Sequence, residues 1–194
     1  MTGSKLGIKV LVGITGGIAA YKICDLVRQL IREEHEARVV LTRHAGHFVS
    51  PLTLEVLSRN PVAQDMFETR GDPAVEHVEA AAWADVVVIA PATANVIGKL
   101  ACGLADDMLT TLCMAVPAGT PMVLAPAMNT RMWDHPVLQR NLKILLDETD
   151  GRYCIVPPVV KELACGDLGM GGMASIEEII EQVYKVFEAK KTKR

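Results

Sequence analysis

The chain has 194 residues, half of them apolar and only 4% aromatic, with a formal net charge of -3. That length suits one well-packed domain and is short for two, and the composition calls for a core of Val, Ile, Leu, Ala and Met such as helices build around a parallel sheet. The charge excludes a broad basic face for nucleic acid; the one dense basic cluster, Lys190-Lys191-Thr192-Lys193-Arg194, reads as a frayed, solvated tail.

From Met1 to Lys9 there is no apolar core ahead of a small-residue cleavage site, and no apolar run reaches the length of a membrane span, so a cytoplasmic protein is expected. Lys9 to Ile14 reads as a buried strand, and Gly16-Gly17 opens a helix with apolar positions Ile18, Ile23, Leu26, Val27, Leu30 and Ile31. Arg38 to Thr42 is predicted as a second strand, Pro51 to Ser58 as a short helix, and Ala74 to Ala82 as a helix. Asp85 to Ala90 follows, a fully apolar run after its Asp and the strongest strand signal in the chain. A helical region from Val96 to Val116, broken near Gly103, leads to a strand at Met122 to Ala125. A helix at Pro136 to Glu148 and a strand at Tyr153 to Val156 come next. Glu68 to Pro73 and Val159 to Ala174 are expected to lack regular structure, the second being long enough to suggest a functional lid.

Five strands alternating with helices predict a single domain spanning residues 1–194, an α/β three-layer, doubly wound parallel sheet of Rossmann or flavodoxin type. Ligands then belong at the carboxyl ends of the strands. Gly13-Ile14-Thr15-Gly16-Gly17 lies there, where a phosphate would meet free N–H groups and glycines allow close approach; a plain tight turn accounts for the same residues. The turn matches neither G-x-G-x-x-G nor a P-loop. Thr42-Arg43-His44 at the second strand end offers no acid for an adenosine ribose, so a mononucleotide such as FMN fits better than NAD or ATP.

Pro91-Ala92-Thr93-Ala94-Asn95 follows the strongest strand, and the spacing leaves open whether Asn95 meets a ligand or only caps a helix. Pro126 to Trp133 places an amide, thioethers and an indole together, suited to a carboxylate beside an apolar wall, although a capped, Met-packed loop reads the same way. His77 stands alone on a helix, where histidines are usually structural. The other histidines show no metal-ligand spacing, and no metal is expected. The five cysteines form no C-x-x-C pair; Cys24, Cys102, Cys113 and Cys154 are expected to pack as small hydrophobes.

Five of these segments together resemble the homo-oligomeric flavin-containing cysteine decarboxylases, over about Lys9 to Ala174. They are GITGGIAAYK, His77 in HVEAAAWAD, PATAN in place of the more usual PASAN, PAMNTRMW, and Ala164-Cys165-Gly166-Asp167 with the glycines after it. Each alone is weak; all five in this order are specific. The resemblance implies FMN held by Gly16, Gly17, Ile18, Ala19, Thr42, His44, Thr93, Ala94, Asn95 and Ala127. It implies His77 and Cys165 as catalytic residues. Substrate contacts would come from Asn129, Met132, Ala164, Gly166 and Asp167, with Cys165 in a flap at about 159–174. Thr93 keeps the hydroxyl of the usual Ser, whereas Val96 and His44 replace hydroxyl residues found in relatives.

The activity implied is FMN-dependent conversion of phosphopantothenoylcysteine to phosphopantetheine in coenzyme A biosynthesis. Its course would be transient oxidation of the cysteine side chain, loss of carbon dioxide and re-reduction of the enethiol. A homotrimer or a dodecamer of trimers, a small-molecule substrate and a separate phosphopantothenate–cysteine ligase go with it. The alternatives are a peptidyl-cysteine decarboxylase of lantibiotic type, a flavin prenyltransferase and a non-catalytic flavin-binding regulatory subunit.

Overall fold

The computed structural model describes residues 7–64, 79–162 and 168–192, with the side chain of Glu162 left out. Six parallel strands form one sheet: β1 (Lys9–Ile14), β2 (Glu36–Leu41), β3 (Val62–Ala63), β4 (Val86–Ala92), β5 (Met122–Pro126) and β6 (Tyr153–Ile155). They lie in the order β3-β2-β1-β4-β5-β6. This is a doubly wound sheet, as the sequence predicts. Every residue of β4 is buried, because the strand is central and covered on both faces.

The period of two along each strand divides the core. Val10, Val12 and Ile14 of β1 pack with Val86 and Val88 against Ile23, Leu26, Val27 and Leu30 of α1 (Ile23–Arg32) and against Ile179, Ile180 and Val183 of α7 (Ile176–Thr192). Leu11, Val87 and Ile89 point the other way, onto α3 (Ala94–Cys102), α4 (Met108–Ala115) and α6 (Pro136–Asp147). Each fully buried Leu, Ile or Val removes enough apolar surface from water to contribute about 1.5–3 kcal/mol before entropy is subtracted. Two further short helices are α2 (Pro51–Ser58) and α5 (Thr130–Trp133).

The break expected near Gly103 is a left-handed C-cap with φ 66°, and Asp107 then starts α4 through a reciprocal capping box with Thr110. Lys99 ties the two helices together by ion pairs to Asp106 at 2.6 Å and Asp107 at 2.7 Å.

Several expectations need correction. The edge strand Val62–Ala63 has no counterpart in the sequence reading, since two residues carry no periodicity. Val159 to Ala174 is not without regular structure: β7 (Val159–Glu162) and β8 (Leu168–Gly172) form an antiparallel pair. Cys102 is exposed rather than packed, and Cys24 and Cys154 are only half-buried. The basic tail is helical through Thr192, where Lys190 Nζ donates to the Asp85 carbonyl at 2.9 Å. Ile18 is 60% exposed and belongs to a 3-10 helix, Ile18–Lys22, that precedes α1. Of the helix expected at Ala74 to Ala82, residues 79–83 are helical and the rest lies outside the described residues, as does the segment Glu68 to Pro73.

The hairpin of β7 and β8 is docked, not free-standing. Met128 N–H donates to the Gly171 carbonyl at 3.0 Å, and Gly171 has φ 145°, with its α-carbon so close to the Met128 carbonyl that any Cβ would collide with it. Gly171→Ala therefore costs about 1–3 kcal/mol at the docking contact. Amide exchange at Met128 is expected to speed up roughly ten- to hundredfold, and exchange in β4 to stay unchanged.

Candidate functional site

In a sheet of this order the connections leave β1 and β4 toward opposite faces, which opens a crevice at their carboxyl ends. Two turns meet there, Thr15 to Gly17 and Pro91 to Thr93. Thr15 is buried, and its Oγ1 donates to the Pro91 carbonyl at 2.6 Å, accepts from Thr93 N–H at 3.2 Å and lies 3.2 Å from Thr93 Oγ1. The register between β4 and β5 slips between Ile89 and Ala92, so this part of β4 relies on a side chain where a regular ladder would have supplied the main chain.

Thr93 is also the N-cap of α3, its hydroxyl accepting from Val96 N–H at 3.4 Å. The cap is thus Thr93 and not Asn95, which sits exposed in the first turn. Thr42 extends the rim on the other side, its Oγ1 donating to the Ile14 carbonyl at 3.3 Å. His44 is exposed just beyond, and its backbone and Cβ leave no room for a side chain on Gly16, where a Cβ would sit 2.5 Å from the His44 Cβ.

Gly17 differs. A Cβ there would meet Thr93 and Pro91 only at 3.7 and 3.9 Å, ordinary contact distances, and the residue is extended with φ -156°. Packing within the chain does not demand glycine at 17. Its missing side chain leaves space between the turns, and the first amide groups of the 3-10 helix, from Ile18 and Ala19, have no acceptor within that helix. Space, N–H donors and threonine hydroxyls around an exposed Ile18 form a donor set that fits the phosphate and sugar of a mononucleotide.

The end of β5 continues the site. Ala127 N–H donates to the Ala92 carbonyl at 3.2 Å, which joins the β4 and β5 ends, and Met128 joins β5 to the hairpin as described above. Asn129 caps α5, its Oδ1 accepting from Arg131 N–H at 2.8 Å, and its amide carries in the NH2 group the donor polarity a carboxylate requires. Met132 is 48% exposed beside it. Hydrogen bonds thus join the β1, β4 and β5 ends and the hairpin in one row.

Gly16, Gly17, Ile18, Ala19, Thr42, His44, Thr93, Ala94, Asn95, Ala127, Asn129 and Met132 all fall along the carboxyl edge of the sheet. His77, Ala164, Cys165, Gly166 and Asp167 lie outside the described residues, the last four in the interval between β7 and β8. Thr15, which joins the turns, was not singled out from the sequence; its signal is a hydroxyl directly after a buried strand. A cavity of about 910 Å³ lies elsewhere: it follows the β2–β3 edge past Arg38, Leu52, Val56 and Arg59, and none of the predicted site residues lines it. The carboxyl edge is the better candidate because the predicted residues converge there, beside open space and hydrogen-bonding groups.

Residues 2–188 match the family described as Flavoprotein. A probable phosphopantothenoylcysteine decarboxylase of Streptococcus mutans is 38% identical over 175 residues, 90% of this chain and 96% of that protein. The coenzyme A biosynthesis bifunctional protein CoaBC of Bacillus subtilis is 46% identical over 92% of this chain, which spans only 43% of that longer relative. Among solved structures, a PPC decarboxylase mutant, C175S, complexed with pantothenoylaminoethenethiol superposes with a TM-score of 0.80 at 38% identity, covering 94% of this chain and 99% of the other. The FMN binding protein AtHal3 gives 0.76 at 38%, covering 94% and 97%.

Thr15→Val leaves the Pro91 carbonyl and the Thr93 N–H without their partner and is expected to lower unfolding stability by about 2 kcal/mol in urea titrations. Thr15→Ser, which keeps the hydroxyl and loses one methyl, should cost about 1 kcal/mol or less.

Proposed function

The chain belongs to the flavoprotein family, and on that footing we propose that it is an FMN-dependent decarboxylase converting phosphopantothenoylcysteine to phosphopantetheine. The observation that carries this reading is the hydrogen-bonded row from Thr15 through Thr93 and Ala127 to the hairpin. Along the edge that this row joins lie open space beside Gly17, the Asn129 amide and the flanks of residues 163–167, an arrangement that supports a mononucleotide and a carboxylate as ligands. The activities of the relatives and the FMN binding of AtHal3 support the same reading.

FMN would be held by the amides of Gly17, Ile18 and Ala19, by the Gly16 turn and by Thr42, His44, Thr93, Ala94, Asn95 and Ala127. When bound it supplies a reversible two-electron acceptor and donor, which an amino acid carboxylate needs because the carbanion left by carbon dioxide has no sink of its own. Asn129 donates to the substrate carboxylate and fixes the bond to be broken, and Met132 forms the apolar wall beside it. His77 orients the substrate and moves its proton. Cys165 delivers a proton to the enethiol carbon in the last step, as a thiol can and an aliphatic hydroxyl cannot. Ala164, Gly166 and Asp167 close over the substrate and exclude water. The protein works as a homotrimer or an assembly of trimers, with a ligase activity joining phosphopantothenate to cysteine upstream of it.

An anaerobic single turnover with mass detection tests the assignment. Wild type should release carbon dioxide and form phosphopantetheine, Cys165→Ser should release carbon dioxide and stop at the enethiol, and His77→Asn should lose activity at least hundredfold while keeping its FMN. Wild-type protein that stops at the enethiol would instead be of the peptidyl-cysteine kind. Protein that takes up no FMN would sink the proposal.

A further inference from the structure

A second cavity, of about 450 Å³, lies where the end of the 3-10 helix, the outer strand of the hairpin and the start of α7 converge. Its polar lining is Tyr21, Lys22, Asp25, Lys161, Ser175 and Glu178. Two of these are cations and two are carboxylates, yet they do not pair with each other. Asp25 faces Arg28 at 3.8 Å, and Glu178 accepts from Ser175 N–H at 2.8 Å and from Ser175 Oγ at 3.0 Å. Among the described residues neither Lys22 nor Lys161 has a carboxylate within ion-pair distance.

Both lysines line the same cavity instead. Burial, and then the charge and contact of Lys161, hold Lys22 below the ordinary lysine range. The chain fixes this arrangement from both sides: Lys22 ends the 3-10 helix that leads into α1, and Lys161 stands opposite Gly169 in the hairpin ladder, its Cβ against Gly172. Two like charges on one cavity, neither with a carboxylate within ion-pair distance among the described residues, suit an anion that supplies the missing partner. The first turn of α7 is closed by the Ser175–Glu178 contacts, which leaves the recognition to the lysines, with Tyr21 in the same lining.

We propose that Lys22 and Lys161 seat the phosphate dianion of the phosphorylated substrate, at the outer end of the cleft whose inner end holds its carboxylate. The inference rests on the decarboxylase reading and adds the group that selects the phosphorylated acid. Its placement is consistent in scale. Lys22 lies five residues beyond Gly17 along a 3-10 helix, roughly 10 Å at about 2 Å per residue, so it is set apart from the turn assigned to the cofactor phosphate. Lys161 and Asn129 lie on either side of β8, which touches both: Gly169 pairs with Lys161, and Gly171 bonds Met128 next to Asn129. A pantothenoyl arm equals about four residue lengths of extended chain, roughly 13 Å, enough to run from the amide along the hairpin to the lysines.

The test compares phosphopantothenoylcysteine with its dephosphorylated form on FMN-loaded protein, together with equilibrium binding of phosphopantothenate and pantothenate, which are not turned over. Wild type should prefer the phosphorylated member of each pair, and inorganic phosphate should compete with phosphopantothenate. Lys161→Gln and Lys22→Gln should each shrink the preference in kcat/KM and in affinity about ten- to hundredfold, the range expected for a charge-assisted hydrogen bond. Lys161→Arg should restore most of it, and FMN content should be the same in all variants. Equal losses on both substrates, no preference in wild type, or loss of FMN in step with the lysines would overturn the phosphate seat. Failure of wild type to decarboxylate either substrate would overturn the decarboxylase reading itself.

Discussion

The reversal of winding between β1 and β4 is the constraint from which the rest of the site follows. Neighbouring parallel strands whose connections depart to opposite faces cannot keep their ladder going past the point of divergence, so the main chain there must find other partners. One buried hydroxyl provides them: Thr15 serves the Pro91 carbonyl and the Thr93 N–H at once. Because Thr93 also caps α3, the same contact fixes where that helix begins and which way its first amides face. A hydroxyl suits this place better than a larger amide. It can donate and accept within one small volume, leaving the crevice above it open.

The space is kept open by subtraction in other places as well. Gly17 lacks a side chain that its own neighbours would tolerate, whereas Gly16 and Gly171 lack side chains that His44 and the Met128 carbonyl would not tolerate. The distinction separates two uses of glycine that look identical in a sequence. Close approach of backbone to backbone builds the site at 16 and 171, and vacant space at 17 serves what enters it. The hairpin belongs to the first class: Met128 N–H bonds the Gly171 carbonyl, and Gly171 packs against the Met128 carbonyl.

Much of this architecture was legible because the central strands are unambiguous. Asp85 to Ala90 is too apolar to face water on either side, and α1 repeats Ile23, Leu26, Val27 and Leu30 at a helical period that matches their burial. The glycine turn and the PATAN and PAMN segments announced themselves as unusual residues after such strands. What escaped was structure lacking a local signal. Leu168-Gly169-Met170-Gly171-Gly172 has no β-branched residue and three glycines in five positions, and it becomes a strand because β7 and Met128 supply its partners. The basic tail looked solvated because Lys190 finds its acceptor at Asp85, 105 residues away in sequence. Cys102 looked like a core residue because its neighbours are apolar, but it falls at the last turn of α3, just before Gly103 turns the chain outward.

The two ends of the sheet divide the labour. At the amino ends of β1 and β4, Lys9 N–H donates to the Asp85 carboxylate at 3.2 Å, and Lys190 holds the Asp85 carbonyl. Nearby, Ile8 N–H donates to His35 Nδ1 at 3.2 Å, so the ring proton sits on Nε2, which reaches the Tyr184 hydroxyl at 2.9 Å. With Nε2 donating, the tyrosine oxygen is the acceptor of that bond and its proton is directed to Glu33. Burial and then this carboxylate hold the Tyr184 hydroxyl above its ordinary range, which keeps it a donor at any physiological pH. Each link orders the next, from the start of β1 through the end of α1 to α7. This end of the molecule is closed by its own polar groups, and the opposite edge is therefore free to direct amides, hydroxyls and ammonium groups outward without loss of the fold that positions them.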